Sequence, residues 1–341
     1  MSIASLRFCL TGLLLALLAT ACTKTPDELN IYSYREENLI KPLLDQFSAQ
    51  TGIKVNLLTG SAEGLFERLQ AEGENTPADL LITVDAGRLY QAKTAGLLQA
   101  ADSAVLAAAI PQHLRDPDNQ WFGLSYRARV IMYNKTAARP LGRYEDLVNP
   151  EWQGRLCMRS SSSIYNQSLL ASIIAVQGET TAESWAKGIV ANMARAPQGN
   201  DRSQILSVAI GECDVTLANT YYLANLLASA DPMERATVEN IGVIFPNQSD
   251  RGTHINVSGA GITKHAKHPE YALQLLEFMV SDTAQQWYAE TNHEYPVKRG
   301  IPVSEIVKAW GFPFKTDTLN LSLLGEYNAT AVQIFDRAGW K

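Results

Sequence analysis

Two tyrosines stand side by side in LANTYYLANLL, residues 217–227, and a third follows a run of serines in RSSSSIYNQSLLASIIA, residues 159–175. Tyr221 and Tyr222 come after Asn219 and Thr220, which are good N-cap residue types, and before Leu223, Leu226 and Leu227 at helical spacing. Both phenols therefore fall in the first turn of a helix, and Tyr165 occupies the same setting. A phenol ionises near about pH 10 in water, so a phenolate at neutral pH needs help. A helix N-terminus offers partial positive charge and free N–H donors, and a bound trivalent cation lowers the pKa far more. Neighbours in a helical turn are only about 100° apart, so consecutive phenols can reach one point. Phenolate is a hard anionic oxygen, and three of them match the charge of Fe(III). A second reading stays open, in which adjacent aromatics put one ring in the core and one at the surface. Phenols in a cleft also stack on a sugar or a cationic ligand.

The elements that would position these groups follow a βα rhythm. LNIYSY (29–34), IKVNLL (53–58) and DLLITV (79–84) read as strands, alternating with helices over 38–50, 61–73 and 86–95. ARVIMYN (128–134) is another strand. A second set follows: a strand RLCMRS (155–160), helices near 164–177, 181–194 and 201–211, the strand DVTLA (214–218), and the tyrosine helix. NIGVIFP (240–246) and HINVSGAGIT (254–263) read as strands, and the C-terminal part as mainly helical. Alternation of this length predicts an α/β fold with mostly parallel sheets. Two such sets without a flexible linker predict two lobes, whose strand ends and helix N-termini face one another across a cleft. Hinge closure is the usual motion of that plan.

Bulk properties are those of a soluble globular protein with a core. Net charge is −6, and no Lys/Arg block stands out, which argues against nucleic acid and against polybasic membrane contact. Residues 1–22 read as a signal segment: Arg7, then the apolar CLTGLLLALLATA, then LATAC, in which small residues precede Cys22. LATAC resembles a lipobox, which makes Cys22 the lipidated first residue of the mature chain, with ordinary cleavage nearby as the alternative. Residues 23–28 form a tether. Cys157 and Cys213 then remain in an oxidising compartment, where they either pair or stand as separate buried thiols. The histidines are scattered, no HExxH or phosphate-cradling loop occurs, and NVSGAG misses the nucleophile-elbow spacing.

Several long blocks carry a specific likeness: GNDRSQILSVAIGECDVTLANTYYLANLL, RSSSSIYNQSLLASI, SYRARVIMYN, TPADLLITVDAGRLYQAKTAGLL and FPNQSDRGTHINVSGAGI. In order, over essentially the whole mature chain, they resemble the periplasmic ferric-iron-binding proteins of bacterial ABC importers. The likeness is to the tyrosine-rich branch that includes the cyanobacterial-type proteins. The resemblance implies a class II periplasmic-binding-protein clamshell with two crossover strands. It implies an N-terminal lobe of 29–127 plus 252–302 and a C-terminal lobe of 128–251 plus 303–341. It also implies a monomer outside the cytoplasm that delivers Fe(III) to a permease and its ATPase, touching the membrane only through a lipid anchor.

Residue by residue, Tyr165, Tyr221 and Tyr222 fall on the family's C-lobe ligands. The N-lobe departs from the pattern. Glu36 and Glu37 stand where relatives carry His, or His then Tyr, and Val84 stands where one branch supplies a Glu. Either Glu36 or Glu37, but not both, supplies a hard oxygen, or a synergistic anion such as carbonate or water fills the coordination. A solvated acidic turn explains the two glutamates equally well. Arg35 and Arg127 are expected to hold the anion, since a guanidinium fork suits a planar oxyanion. Arg129 reads as either a helper or an ordinary salt-bridge residue. Ser162, Ser163 and Asn219 are expected to cap helices rather than touch the ligand. The rival from another class is an exported enzyme using cleft phenols as acids or bases. Within binding proteins, the rival cargo is another metal or a small oxyanion.

Overall fold

The computed structural model describes residues 27–137 and 141–341, so the signal segment and the Cys22 lipidation site lie outside the described residues. Its strands, in chain order, are β1 (Glu28–Ser33), β2 (Lys54–Thr59), β3 (Leu80–Val84), β4 (Phe122–Asn134), β5 (Leu156–Cys157), β6 (Val215–Asn219), β7 (Ile241–Ile244), β8 (Ile255–Ile262) and β9 (Tyr295–Pro296). β1 runs parallel to both β2 and β3, as the alternation with helices requires. β8 then joins antiparallel to β3, and β4 antiparallel to β8. In the second half β5 runs parallel to β6, while β6 and β7 pair antiparallel with β4. The sheets are thus mixed rather than mostly parallel. The strands that join the halves return against the direction of the βα units, and sequence alternation says nothing about strands entered from elsewhere.

β4 is the element that connects the two sheets. Phe122–Ala128 pairs with β8 and β9, and from Arg129 onward the same strand pairs with β6 and β7. Only its second half, 128–134, is legible as a strand from the sequence. The strand is buried along nearly its whole length, as expected of one covered on both faces, so alternation marks neither half. All eight residues of β8 are buried as well. Glycine is required there: a Cβ on Gly259 would sit 2.5 Å from the Phe122 carbonyl oxygen and 2.8 Å from Leu89 Cδ1.

Two features tie the halves together away from β4. Asp85, fully buried and held at φ 86°, caps the helix Ala86–Thr94 by accepting from Gly87 N–H at 2.8 Å. Its carboxylate also accepts from Asn256 Nδ2 at 2.7 Å and from Ser168 Oγ at 2.8 Å. Ser168 belongs to the helix Ile164–Gln177, which follows β5, so the bond spans the two βα sets. Secondly, the short helix Ser322–Glu326 packs on both Ala86–Thr94 and Ile164–Gln177. Gly325 meets the Tyr90 side chain so closely there that no Cβ would fit.

The second sheet carries a covalent staple. Cys157 on β5 and Cys213, just before β6, are joined in a disulfide, so of the two sequence-level alternatives they pair. RLCMRS forms only the two-residue strand Leu156–Cys157. Closing a loop of 56 residues restricts the unfolded chain by roughly 4 kcal/mol in the chain-entropy view. Urea unfolding of the Cys157→Ser/Cys213→Ser protein should therefore show a loss of about 2–4 kcal/mol relative to the oxidised wild type. Adding reductant to the wild type should produce the same loss, and adding it to the variant should change nothing further.

Candidate metal centre

The three expected tyrosines meet. Tyr165 lies in the first turn of Ile164–Gln177, and Tyr221 and Tyr222 in the first turn of Thr220–Leu227, which continues directly from β6. Tyr165 Oη and Tyr221 Oη are 3.4 Å apart. The rings of Tyr221 and Tyr222 are 4.2 Å apart between centroids. All three line one cleft of about 650 Å³. None of the three rings is packed away in the core, and each is half-buried. The Tyr221 phenol is held well above its ordinary pKa, first by burial and then by the charges that Tyr165 and Tyr222 would carry. Tyr222 is raised first by burial and then by the charges of Tyr165 and Asp201, while its hydrogen bond with Tyr221 acts the other way. Arg127 acts in the opposite direction on Tyr221, and Arg159 on Tyr222.

Three guanidiniums surround the Tyr165 ring: Arg127, Arg159 and Arg129 place Cζ 5.4, 5.5 and 5.9 Å from its centroid. Two of them are anchored by one carboxylate. Asp201 is fully buried and bonds Arg129 Nη1 through Oδ1 and Arg159 Nη1 through Oδ2, each at 2.8 Å. Arg129 Nη2 also donates to Asn166 Oδ1 at 2.8 Å, and Asn166 Nδ2 reaches the carbonyls of Arg159 and Ser160 at 3.1 Å. Arg129 is thus a buried ion-pair residue, one of the two roles open for it. Two arginines against one aspartate leave a net positive charge behind the phenols.

The expected helix caps are not present. Ser163 and Asn219 hold the N-cap positions without a side-chain cap bond. Asn219 Oδ1 instead accepts from Arg129 Nη1 at 3.4 Å, and its Nδ2 and the buried Ser163 Oγ have no partner. Ser162 is exposed and bonds Ser160 Oγ at 3.0 Å. Competition from the buried guanidinium removes Asn219 from capping, and the tyrosine helix keeps its first-turn N–H groups free of a side-chain cap.

The opposite wall of the cleft comes from the first sheet: Tyr34, Arg35, Glu36, Asn38, Val84, Arg127, Ser258 and Glu294. Glu36 lines the cleft, whereas Glu37 lines an outer hollow with Lys41 and Asp45. The two arginines expected to hold an anion differ. Arg35 spends Nε on the Leu39 carbonyl at 3.0 Å, Nη1 on Ser258 Oγ at 2.7 Å, and Nη2 on Glu294 Oε1 at 3.0 Å. Arg127 makes a single bond, Nη1 to Ser258 Oγ at 3.2 Å, and its buried Nε and Nη2 have no partner. Only Arg127 has donors to offer.

Sequence reasoning missed Asp201, Ser258 and Glu294. In GNDRS, Asp201 reads as an ordinary acidic residue in a first helical turn. Glu294 in NHEYPV precedes a two-residue strand that no periodicity reveals.

A family model described as a bacterial extracellular solute-binding protein matches residues 75–309. The chain is 49% identical over 337 residues to iron uptake protein A1 of Synechocystis sp., covering 95% of this chain and 93% of the relative. It is 43% identical to iron uptake protein A2 of the same organism, covering 97% and 95%. A solved structure of the Trichodesmium protein IdiA (FutA), in complex with iron and citrate ligands, is 49% identical with a TM-score of 0.89, over 92% of this chain and 100% of that one.

Removing the central carboxylate should be costly. Asp201→Asn leaves the buried Arg129 and the half-buried Arg159 without their counter-ion, and urea denaturation should register a loss of about 3–5 kcal/mol. A loss below about 1 kcal/mol would mean that solvent, not Asp201, balances Arg129 and Arg159.

Proposed function

The chain belongs to the bacterial extracellular solute-binding protein family, and from that premise we propose that it captures ferric iron outside the cytoplasm and delivers it to an ABC importer. The observation that carries this reading is the convergence of Tyr165, Tyr221 and Tyr222 on one cleft, with Tyr165 Oη 3.4 Å from Tyr221 Oη. Two of its relatives are named for iron uptake, and this chain is read as a carrier rather than a catalyst. The lobes close on the metal by a hinge, the carrier works as a single copy, and Cys22 bears the lipid that keeps it at the membrane. Among the described residues no helix is long and apolar enough to cross a membrane.

Charge balance sets the rest of the coordination. Three phenolates neutralise Fe(III), and Arg127 adds one positive charge with no ion pair among the described residues. One further anionic oxygen is therefore wanted beside the metal. Glu36 supplies it from the cleft wall, or a synergistic oxyanion held on Arg127 does. Glu37 faces elsewhere and takes no part. A binder of another metal or of a free oxyanion in the same fold is the second reading, favoured only by the free donors of Arg127.

Adding ferric citrate to metal-free protein should produce a broad visible phenolate-to-iron band. Tyr221→Phe or Tyr222→Phe should abolish tight binding, and a colourless wild type would sink the iron assignment. Glu36→Gln should weaken iron binding when carbonate is excluded and recover when it is supplied, whereas Glu37→Gln should match wild type throughout.

The pH dependence has a definite sign. Tyr221 and Tyr222 are held above the ordinary phenol pKa, so they are protonated at pH 7 and must lose protons to become ligands. Iron binding then releases protons, and affinity falls about tenfold per pH unit for each proton displaced as pH drops. Proton release in weakly buffered solution should be one fewer for Tyr165→Phe than for wild type. Equal release in the two proteins would remove Tyr165 from the ligand set.

A further inference from the structure

The cleft wall opposite the tyrosines holds two buried guanidiniums, Arg35 and Arg127, only 3% and 2% exposed. They share one acceptor, Ser258 Oγ, at 2.7 and 3.2 Å. Like charges this close repel, the more so away from water. Among the described residues a single carboxylate lies in ion-pair range of the pair. It is Glu294, 4% exposed, whose Oε1 accepts from Arg35 at 3.0 Å and whose Oε2 accepts from Ser125 Oγ at 2.5 Å. The buried Asp85 feels the charge of Arg127, but its oxygens are occupied by Ser168, Asn256 and the Gly87 N–H. Arg35 is therefore neutralised and fully bonded, while Arg127 keeps two free donors.

We infer that Glu294 sets the charge of the anion site: it neutralises Arg35, so that of the two guanidiniums only Arg127, without a counter-ion and with two unpaired donors, is left for an oxyanion beside the metal. This deepens the iron reading and rests on it only for the cargo. The ligand is a planar oxyanion with two oxygens to offer, either carbonate or the carboxylate of an organic chelator. A fork of N–H donors matches either of them. Ser125 and Ser258 sit on β4 and β8, the two strands that pair at the centre of the fold, so the site is built on rigid backbone.

Glu294→Gln keeps the shape and removes the charge. Arg35 then becomes uncompensated, and the wall carries two positive charges in place of one. Metal-free full-length protein titrated with bicarbonate, and separately with citrate, should bind the anion about tenfold tighter in Glu294→Gln than in wild type. The arm with the larger gain identifies the source of the oxyanion. In a second measurement, Fe(III) affinity of Glu294→Gln should fall about tenfold without anion and return when anion is added, because the extra positive charge opposes the cation. Glu294→Asp should restore the wild-type anion dependence in both measurements. A purely structural Glu294 would instead lower iron affinity equally with and without anion and leave anion binding unchanged, which overturns the inference. So would a wild type that binds neither anion when metal-free, and that result leaves the iron reading standing. A wild type that binds anion but never develops the ferric band sinks the iron reading alone.

Discussion

Everything in the cleft depends on one electrostatic conflict. Three phenols are gathered where burial and the neighbouring Tyr165 oppose the ionisation of Tyr221 and Tyr222, and a phenol is useful to a hard cation only when it is ionised. The protein resolves this partway with permanent positive charge: Arg129 and Arg159 held on one aspartate, and Arg127 left without a counter-ion. Without cargo Tyr221 and Tyr222 stay protonated and neutral. A trivalent cation supplies the remaining stabilisation, and a divalent cation supplies less.

The fold serves this arrangement by placing both kinds of group on adjoining strand ends. β6 runs straight into the helix of Tyr221 and Tyr222, and β5 precedes that of Tyr165. β4 carries Arg127 on the stretch paired with β8 and Arg129 at the point where pairing passes to β6. One continuous strand therefore supplies a charge to each wall of the cleft. The departures from regular parallel order, β4, β8 and β9 among them, are the segments that join the halves.

Much of this was legible in the sequence, and the rest was not for definable reasons. The alternating strands and helices, the tyrosine positions and their helix starts follow from periodicity and capping preference. Ser163 and Asn219 occupy the N-cap positions that their residue types indicate, yet their side chains do not cap. A cap depends on local chemistry, and here a guanidinium from a distant strand competes for Asn219. The pairing of Glu294 with Arg35 spans 259 residues, and no local pattern encodes a contact of that range. Glu36 and Glu37 look equivalent in the sequence. The 3-10 turn Glu37–Leu39 that begins between them sends one to the cleft and the other to the outside.

Asp85 gives the metal site a mechanical neighbour. Ser168, whose hydroxyl it holds, lies three residues beyond Tyr165 and so on the same side of that helix. Any displacement that parts the helix Ile164–Gln177 from β3 strips a buried carboxylate of a donor while dragging a phenol along with it. Asp85 would then keep only the Asn256 and Gly87 donors, so this one carboxylate works as a latch between the two βα sets.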